Sequence, residues 1–336
     1  MKKLIIIFTI FCSLTTYGQN GLTGKYFMLL KSDKIVSLNT IEDHGLKEHR
    51  TFDITSKSIY TTDKNNRVAI LDTAQNKISL YDLTTSKETK LIIPFDIKPK
   101  TILLAKNKLF VGGEKGKEIL IQYNINDNKW FKLEIPEEVK MWGKAVDDLV
   151  INDSLLIAID NIVLPKYVLF YSFDSSEKLE LSYFEDLKSN GPYESIHAGR
   201  ITSKYFGLIS ESYSGYTGAS QHITIYDKLN FKKSFAISIG QQEEGFHTFN
   251  DFVIVGDELF ISSKEKGLGI FEIKDSYFKV SQDRFDNFNA EISMQKVKYN
   301  SYSTEIIKLT LSPDNKKLII TKKNLIGRIS HEVIDI

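Results

Sequence analysis

Apolar residues along this chain occur in short runs that suit β-strands and recur at a regular interval. The clearest run consists of β-branched and large aliphatic residues and ends in an aromatic residue followed by a polar one. Its copies lie at residues 78–82, 119–124, 168–172, 223–227 and 268–272. Their aromatic residues are 42, 48, 55 and 45 residues apart. No stretch of a dozen residues has uninterrupted helical spacing of apolar positions, so the pattern predicts an all-β chain built from one repeated unit.

Further strand-like runs surround each copy, separated by turns of Asp, Asn, Gly, Lys and Ser. An apolar run precedes each copy, and in three repeats an inner strand precedes that run, at residues 148–151, 251–254 and 306–311. Outer strands follow, for example at 89–93. Four strands in about 40 to 50 residues is the period of one propeller blade. A sandwich would be complete at about half this length, and a β-helix would repeat about every 20 to 25 residues.

Counting the repeated run predicts a β-propeller of seven four-stranded blades. One further copy lies near Leu38, and a degenerate copy lies near residues 326–329. The first blade has no obvious inner strand, and the tail at 333–336 is predicted to complete a blade beside the N-terminal strands and close the ring. Six or eight blades are the alternatives, because the stretch from Asp283 to Thr304 is long and polar.

The N-terminus has the features of a secretory signal peptide. Lys2 and Lys3 precede an apolar run at residues 4–14, and small residues surround a cleavage point after Gly18. We therefore predict residues 1–18 as signal peptide and 19–336 as a single propeller domain. The apolar run is too short for a transmembrane helix, and no second candidate follows. The expected location is periplasmic, cell-surface or secreted.

Composition and motifs exclude several function classes. The 44 basic and 43 acidic residues give no positive excess of the kind that nucleic-acid binding needs. Cys12, the one cysteine, lies in the leader, so no disulfide or thiol chemistry is expected after its removal. The chain has no nucleophile elbow, zinc-protease motif, phosphate-binding loop or calcium loop. We predict no cofactor, no metal site and a monomer.

One segment resembles a turn found in WD-type propellers. Leu311-Ser312-Pro313-Asp314-Asn315-Lys316 is similar to the Ser-Pro-Asp-Gly-Lys turn that joins the first two strands of such blades. Asn315 replaces the usual Gly and is tolerated because Asn can adopt the left-handed conformation. The resemblance implies a propeller fold and carries no activity with it. It also implies that the loops entering each blade share one face with the loops between second and third strands, and propellers usually bind ligands there.

Mapped onto that face, nine residues form a candidate ligand-binding rim on blades four to six. The entry loops are predicted to hold Trp142, Lys144, Tyr193, His197, Arg200, His247 and Asn250, and a loop at residues 212–220 is predicted to hold Tyr213 and Tyr216. The alternative is that these are structural residues at strand starts. Asp147, Asp148 and Asp251 could form a carboxylate pair or a cation site. The interpretation favoured here is structural, with each acid bonding an amide of a neighbouring strand.

Two functions remain open from the sequence. The first is an exported binding module that recognises a protein, peptide or glycan through this rim, because aromatic and basic residues suit both protein hot spots and sugar stacking. The alternative is a propeller hydrolase or lyase that acts on an extracellular saccharide or lactone, with His197 or His247 as general base. The absence of a recognisable acid, base and nucleophile set argues against enzyme activity without excluding it.

Overall fold

The structure, a computed structural model, describes residues 25–42, 45–115, 118–140, 145–160, 167–174, 178–186, 194–214, 218–238, 249–263, 267–280, 296–299 and 304–336. Within these ranges the chain forms 27 strands, the four-residue helix α1 (Glu137–Lys140) and a 3-10 turn at Asp275–Tyr277. In the described ranges, no helix comes close to the length and apolarity that crossing a bilayer demands. The predicted leader lies outside the described residues.

The strands alternate with short turns along the whole described chain. In order they are β1 Phe27–Ser32, β2 Ile35–Glu42, β3 Gly45–Asp53, β4 Ser58–Thr62, β5 Arg67–Asp72, β6 Lys77–Asp82, β7 Lys87–Ile92, β8 Lys98–Ala105, β9 Lys108–Glu114, β10 Leu120–Asn124, β11 Lys129–Lys132, β12 Asp148–Ile151, β13 Leu155–Ile159, β14 Tyr167–Phe173, β15 Leu179–Asp186, β16 Glu194–Ile201, β17 Tyr205–Ser214, β18 Gly218–Asp227, β19 Asn230–Ser238, β20 Phe249–Val255, β21 Glu258–Ser263, β22 Gly267–Glu272, β23 Lys279–Val280, β24 Lys296–Tyr299, β25 Thr304–Leu311, β26 Lys317–Asn324 and β27 Ile329–Asp335.

These strands form seven antiparallel sheets, which are the blades of a β-propeller. Blade 1 contains β1 to β3, and blades 2, 3 and 4 contain β4 to β7, β8 to β11 and β12 to β15. Blade 5 contains β16 to β19 with β23 at its outer edge, blade 6 contains β20, β21, β22 and β24, and blade 7 contains β25 to β27. The prediction of an all-β propeller with seven blades is confirmed. Six or eight blades are excluded.

Blade 1 begins at what is the second strand of the other blades. The repeated run forms the third strand of blades 2 to 6, and its copy at Leu38 lies in β2, so β1 corresponds to a second strand. No inner strand precedes β1 among the described residues, as the sequence indicated. The ring closes because β1 contacts β27 on one side and β4 on the other. At this seam Phe27 and Leu29 pack against Ile319.

In the part of the chain that the structure describes, the core forms seven apolar layers, each between two neighbouring blades. The layer between blades 3 and 4, for example, contains Phe110, Leu149 and Tyr171, and the layer between blades 5 and 6 contains Phe252. Each blade thus buries both faces of its sheet, which explains why many strands are apolar at consecutive positions. β9 is buried along its entire length. Inter-blade packing holds the inner strands in fixed positions around the central axis.

The two faces of the ring differ in the turns they carry. Turns between first and second strands touch one another around one face, as in the hydrogen bond from Asn152 Nδ2 to the Thr202 carbonyl at 3.2 Å and the ion pair of Lys204 with Asp257 at 2.8 Å. We call this the opposite face. Inner strands begin on the other face, called here the entry face, where second strands also turn into third strands. The predicted similarity of the Ser312 turn is confirmed, because Asn315 has a φ of 56° and Ser312 Oγ donates to Asp314 at 2.6 Å.

Candidate binding site at the channel mouth

Five inner strands pair with their second strands in the same register, which defines an aligned position. The position is counted back from the turn between the first and second strands of each blade. In blades 3 to 7, the aligned residue pairs with Gly112, Ile159, Ile209, Ser262 and Thr321 respectively. The aligned residues themselves are Thr101, Asp148, Ala198, Asp251 and Lys308. Asp148 and Asp251, the first residues of the inner strands predicted at 148–151 and 251–254, thus occupy equivalent positions. These five residues are called the aligned ring.

The residue immediately before the aligned position lies in a backbone irregularity in four of the five blades. The register shifts around Lys100, His197, Asn250 and Ile307, as expected for a β-bulge. In blade 4 the corresponding residue is Asp147, directly before β12. Bulges redirect a side chain and are frequent beside functional sites. We call these five residues the mouth ring, because they lie where the inner strands begin on the entry face.

The aligned aspartates hold neighbouring blades together. Asp148 Oδ2 accepts the backbone N–H of Gly199 in blade 5 at 2.9 Å, and Asp251 Oδ2 accepts the backbone N–H of Leu309 in blade 7 at 3.0 Å. Both carboxyl groups are buried. The structural interpretation of these acids is thus confirmed. In the described residues, Asp148 Oδ1 has no hydrogen-bond partner.

A cluster of charged side chains extends from the aligned ring. Arg200 is 5% exposed, donates from Nη1 to the Gly199 carbonyl at 2.7 Å and forms an ion pair through Nη2 with Asp251 Oδ1. Its guanidinium lies 5.5 Å from the centre of the Phe252 ring. The charges of Asp251, Arg200 and Asp148 all act on Lys308. The cluster therefore joins side chains from blades 4, 5, 6 and 7.

Burial favours the uncharged forms of Asp148 and Lys308. It raises the pKa of Asp148 to about 8, although the charge of Arg200 and the N–H of Gly199 act in the opposite direction. Part of Lys308 is solvent-accessible, yet surrounding protein lowers the pKa of its amine to about 7 against the opposing charge of Asp251. Both groups therefore change charge near neutral pH in the folded protein.

The mouth ring is connected by polar contacts between blades. Lys100 Nζ lies 2.6 Å from Asp147 Oδ1 and 2.7 Å from Glu114 Oε2. Burial alone would lower the pKa of Lys100, but the hydrogen bonds and charges of the two acids outweigh it and raise the pKa. Farther round the ring, Asn250 Nδ2 donates to the Ile306 carbonyl at 2.8 Å. These contacts fix polar side chains on one face, in a form suited to recognising polar groups.

The structure describes only part of the predicted rim. Trp142, Lys144, Tyr193, Tyr216 and His247 lie outside the described residues. His197 and Tyr213 lie in β16 and β17, but their side chains are not described. Arg200 and Asn250 are described in full, and the ligand-binding role of all nine residues stays a prediction.

Three residues predicted on entry loops, His197, Arg200 and Asn250, lie within strands, and one predicted loop is largely strand. Arg200 is not on an entry loop, because β16 continues to Ile201 and buries its guanidinium against blade 6. Residues 212–220 are not a single loop, because β17 continues to Ser214 and β18 starts at Gly218, which pair with each other. Asn250 also lies within a strand, at the bulge of β20.

Sequence reasoning missed Lys100 and Lys308. Lys308 lies inside a run that was correctly predicted as an inner strand. The available signal was the turn at Ser312, since counting back from it in the register of Asp251 leads to Lys308. In the described ranges no three His, Cys, Asp or Glu residues lie close enough to bind a metal ion.

No protein-family model and no curated protein matches this chain. Solved structures do resemble it. The β-propeller domain of Cps50 (Swd1) from Myceliophteria thermophila has a TM-score of 0.59 at 13% identity over 96% of this chain and 97% of that one. U3-55K has a TM-score of 0.59 at 10% identity over 93% and 92%. YCF48 bound to a D1 peptide has a TM-score of 0.56 at 10% identity over 95% and 91%. At these identities the comparisons establish the β-propeller fold alone and nothing about the ligand.

Proposed function

We propose that this protein is an exported binding module that recognises a protein, peptide or glycan at the channel mouth of blades 4 to 6. The observation that carries the proposal is the mouth ring, in which consecutive inner strands present Asp147, His197 and Asn250 at the same backbone position on one face. Inter-blade packing makes this position rigid, so a ligand would be bound without a large ordering cost.

A structural relative supports a peptide as the ligand class. YCF48 was solved bound to a D1 peptide, which shows that a propeller of this shape can hold a peptide. In the present chain, the Lys100–Asp147 pair and the Asn250 amide offer both hydrogen-bond donors and acceptors. A peptide backbone carries both kinds of group at each residue. The proposed export rests on the leader pattern of residues 1–18.

The proposal is tested by partners recovered on the immobilised protein and then measured one at a time. We expect His197→Ala combined with Asn250→Ala, and separately Tyr213→Ala, to weaken binding about tenfold or more, as is typical for central interface residues. Leu229→Ser is the matched control, because Leu229 is 92% exposed in a turn on the opposite face. Equal affinity of folded mouth variants and wild type would refute the assignment of this site.

A second candidate is a hydrolase or lyase acting on a saccharide or lactone. Its support is the buried Asp148 and the nearby Lys308, whose pKa values of about 8 and about 7 suit proton transfer at neutral pH. A screen with chromogenic glycosides, uronides and lactones tests it. Turnover that disappears in Asp148→Asn, with unchanged folding, would favour this candidate over a binding module.

A further inference from the structure

The turn between β26 and β27 presents two neighbouring aliphatic side chains to solvent. Leu325 is 88% exposed and Ile326 is 86% exposed. A single exposed apolar residue is ordinary on a protein surface, and Leu229, between Lys228 and Asn230, is such a case. Two adjacent aliphatic residues at the tip of a turn differ from a single exposed one, because both side chains can enter the same apolar phase together.

The turn is held in one conformation by Asn324. Its side-chain oxygen accepts the backbone N–H of Ile326 at 3.2 Å and of Arg328 at 2.8 Å. Its carbonyl accepts the N–H of Gly327 at 2.9 Å, and Gly327 has a φ of 82°, which favours glycine. These contacts hold the backbone of the turn in a conformation that places both aliphatic side chains in solvent.

Basic residues flank the exposed pair. Lys322, Lys323 and Arg328 lie within three residues of it, and residues 322–330 contain no acid. Lys322 forms an ion pair with Glu332, and Lys323 Nζ lies 3.7 Å from Asp33 Oδ1. Arg328 is exposed and forms no ion pair among the described residues. The surroundings of the tip thus keep a net positive charge.

We propose that this turn attaches the propeller to an anionic lipid surface. Leu325 and Ile326 enter the boundary between head groups and acyl chains, and the exposed Arg328 faces the lipid phosphates. A convex aliphatic tip surrounded by basic residues fits such a surface better than a protein partner, since hot spots of protein interfaces are enriched in Trp, Tyr and Arg, while Leu is under-represented.

The attachment has a consequence for the channel mouth. A turn between a second and a third strand lies on the entry face, and the contact of Lys323 with Asp33 in the corresponding turn of blade 1 agrees with this position. Lipid-bound protein would hold the mouth ring close to the bilayer, where a membrane-borne partner is accessible. The proposal itself is independent of the function proposed above and is tested without any partner.

Sedimentation with vesicles is the direct test, using the full-length chain so that any contribution of the leader is common to all variants. Vesicles of phosphatidylcholine with phosphatidylglycerol are compared with vesicles of phosphatidylcholine alone. We expect binding to the anionic vesicles to fall about tenfold or more in the double variant Leu325→Ser with Ile326→Ser, because two aliphatic side chains no longer leave water. Arg328→Ala should lower binding less, and the remaining binding should be less sensitive to salt.

Leu229→Ser is the matched control, and we expect it to bind like wild type. An Ile326→Trp variant should shift its fluorescence emission to the blue on addition of anionic vesicles, which reports insertion and not surface adsorption. Binding that is unchanged in the double serine variant would overturn the proposal, as would no binding by wild type. If wild type were instead a dimer in solution that the double variant converts to a monomer, a second copy would be the occupant and the lipid proposal would be wrong.

Discussion

Replacing Asp148 by Asn should remove a pH dependence that this buried carboxyl imposes on folding. The folded-state pKa of Asp148 is about 8, against an ordinary value of 3.8. Between these values the folded protein holds a proton that the unfolded chain has released. The free energy of unfolding therefore falls as pH rises through this interval. Asn keeps an oxygen that can accept the Gly199 N–H and has no proton to lose.

The size of the effect follows from the proton affinity. Each tenfold change in proton concentration is worth about 1.4 kcal/mol, so between about pH 5 and about pH 8 the full contribution would be about 4 kcal/mol. The effective dielectric constant at protein sites exceeds that of a dry interior, which reduces this amount. Between about pH 5 and about pH 8, we therefore expect the free energy of unfolding of the Asp148→Asn variant to rise by about 2 kcal/mol relative to that of wild type.

Lys308 contributes with the opposite sign at higher pH. Its folded-state pKa is about 7, against an ordinary 10.5, so between these values the unfolded chain holds the extra proton and stability rises with pH. Wild type should therefore be least stable near pH 7 to 8, where the two effects meet. In the Asp148→Asn variant, the free energy of unfolding should still rise with pH above about pH 7 but should no longer fall between about pH 5 and about pH 8.

Urea unfolding of both proteins over this pH range is the assay. Asp153→Asn is the control, because Asp153 is an exposed acid in the turn that follows β12. We expect the control to run parallel to wild type. Parallel curves for wild type and Asp148→Asn would refute the reasoning, since they would mean that Asp148 ionises in the folded protein as easily as in the unfolded chain.

Two further substitutions probe the inner strands. Arg200→Met should lower the free energy of unfolding by about 3 to 5 kcal/mol in urea titrations, because it leaves the buried Asp251 without its cation. If the double variant Arg200→Met with Asp251→Leu recovers part of that loss, the unpaired charge is the cause. Gly199→Ala should lower the free energy of unfolding by about 1 to 3 kcal/mol, since the added Cβ would lie 2.5 Å from Ile159 Cδ1. Adding Ile159→Val to this variant should restore some stability. An unaltered melting temperature for Gly199→Ala would contradict the close approach.

The fold was predictable because strand pattern and repeat spacing are local properties of the sequence. The alignment of Asp148 with Asp251 was also visible, since a strand, a turn and a second strand were repeated together. Residues 212–220 were mistaken for a loop because Tyr, Ser and Gly are typical of loops. Pairing of β17 with β18 nevertheless continues as far as the Ser214–Gly218 pair, since hydrogen bonds between strands do not need apolar side chains.

The charged cluster could not be predicted for a different reason. Arg200, Asp251 and Lys308 lie in three different blades, and their contact depends on which residue each inner strand places beside the next. A single sequence shows that Arg200 and Lys308 are charged, but burial and pairing arise only when the ring is assembled. The bulges at His197 and Asn250 are equally invisible, because an extra residue in one strand appears only against the register of its partner.

At the proposed binding site, the repeated bulge would separate recognition from folding. The inserted residue is accommodated by a local change of backbone path. In blade 7 this residue, Ile307, also packs against the apolar layer between blades 1 and 2, whereas the bulge residues of blades 3, 5 and 6 are polar. Lys100, His197, Asn250 and Ile307 differ in charge, size and polarity at equivalent sites of one scaffold. Ligand preference can therefore diverge by exchange of single residues, one blade at a time, while the ring itself stays unaltered.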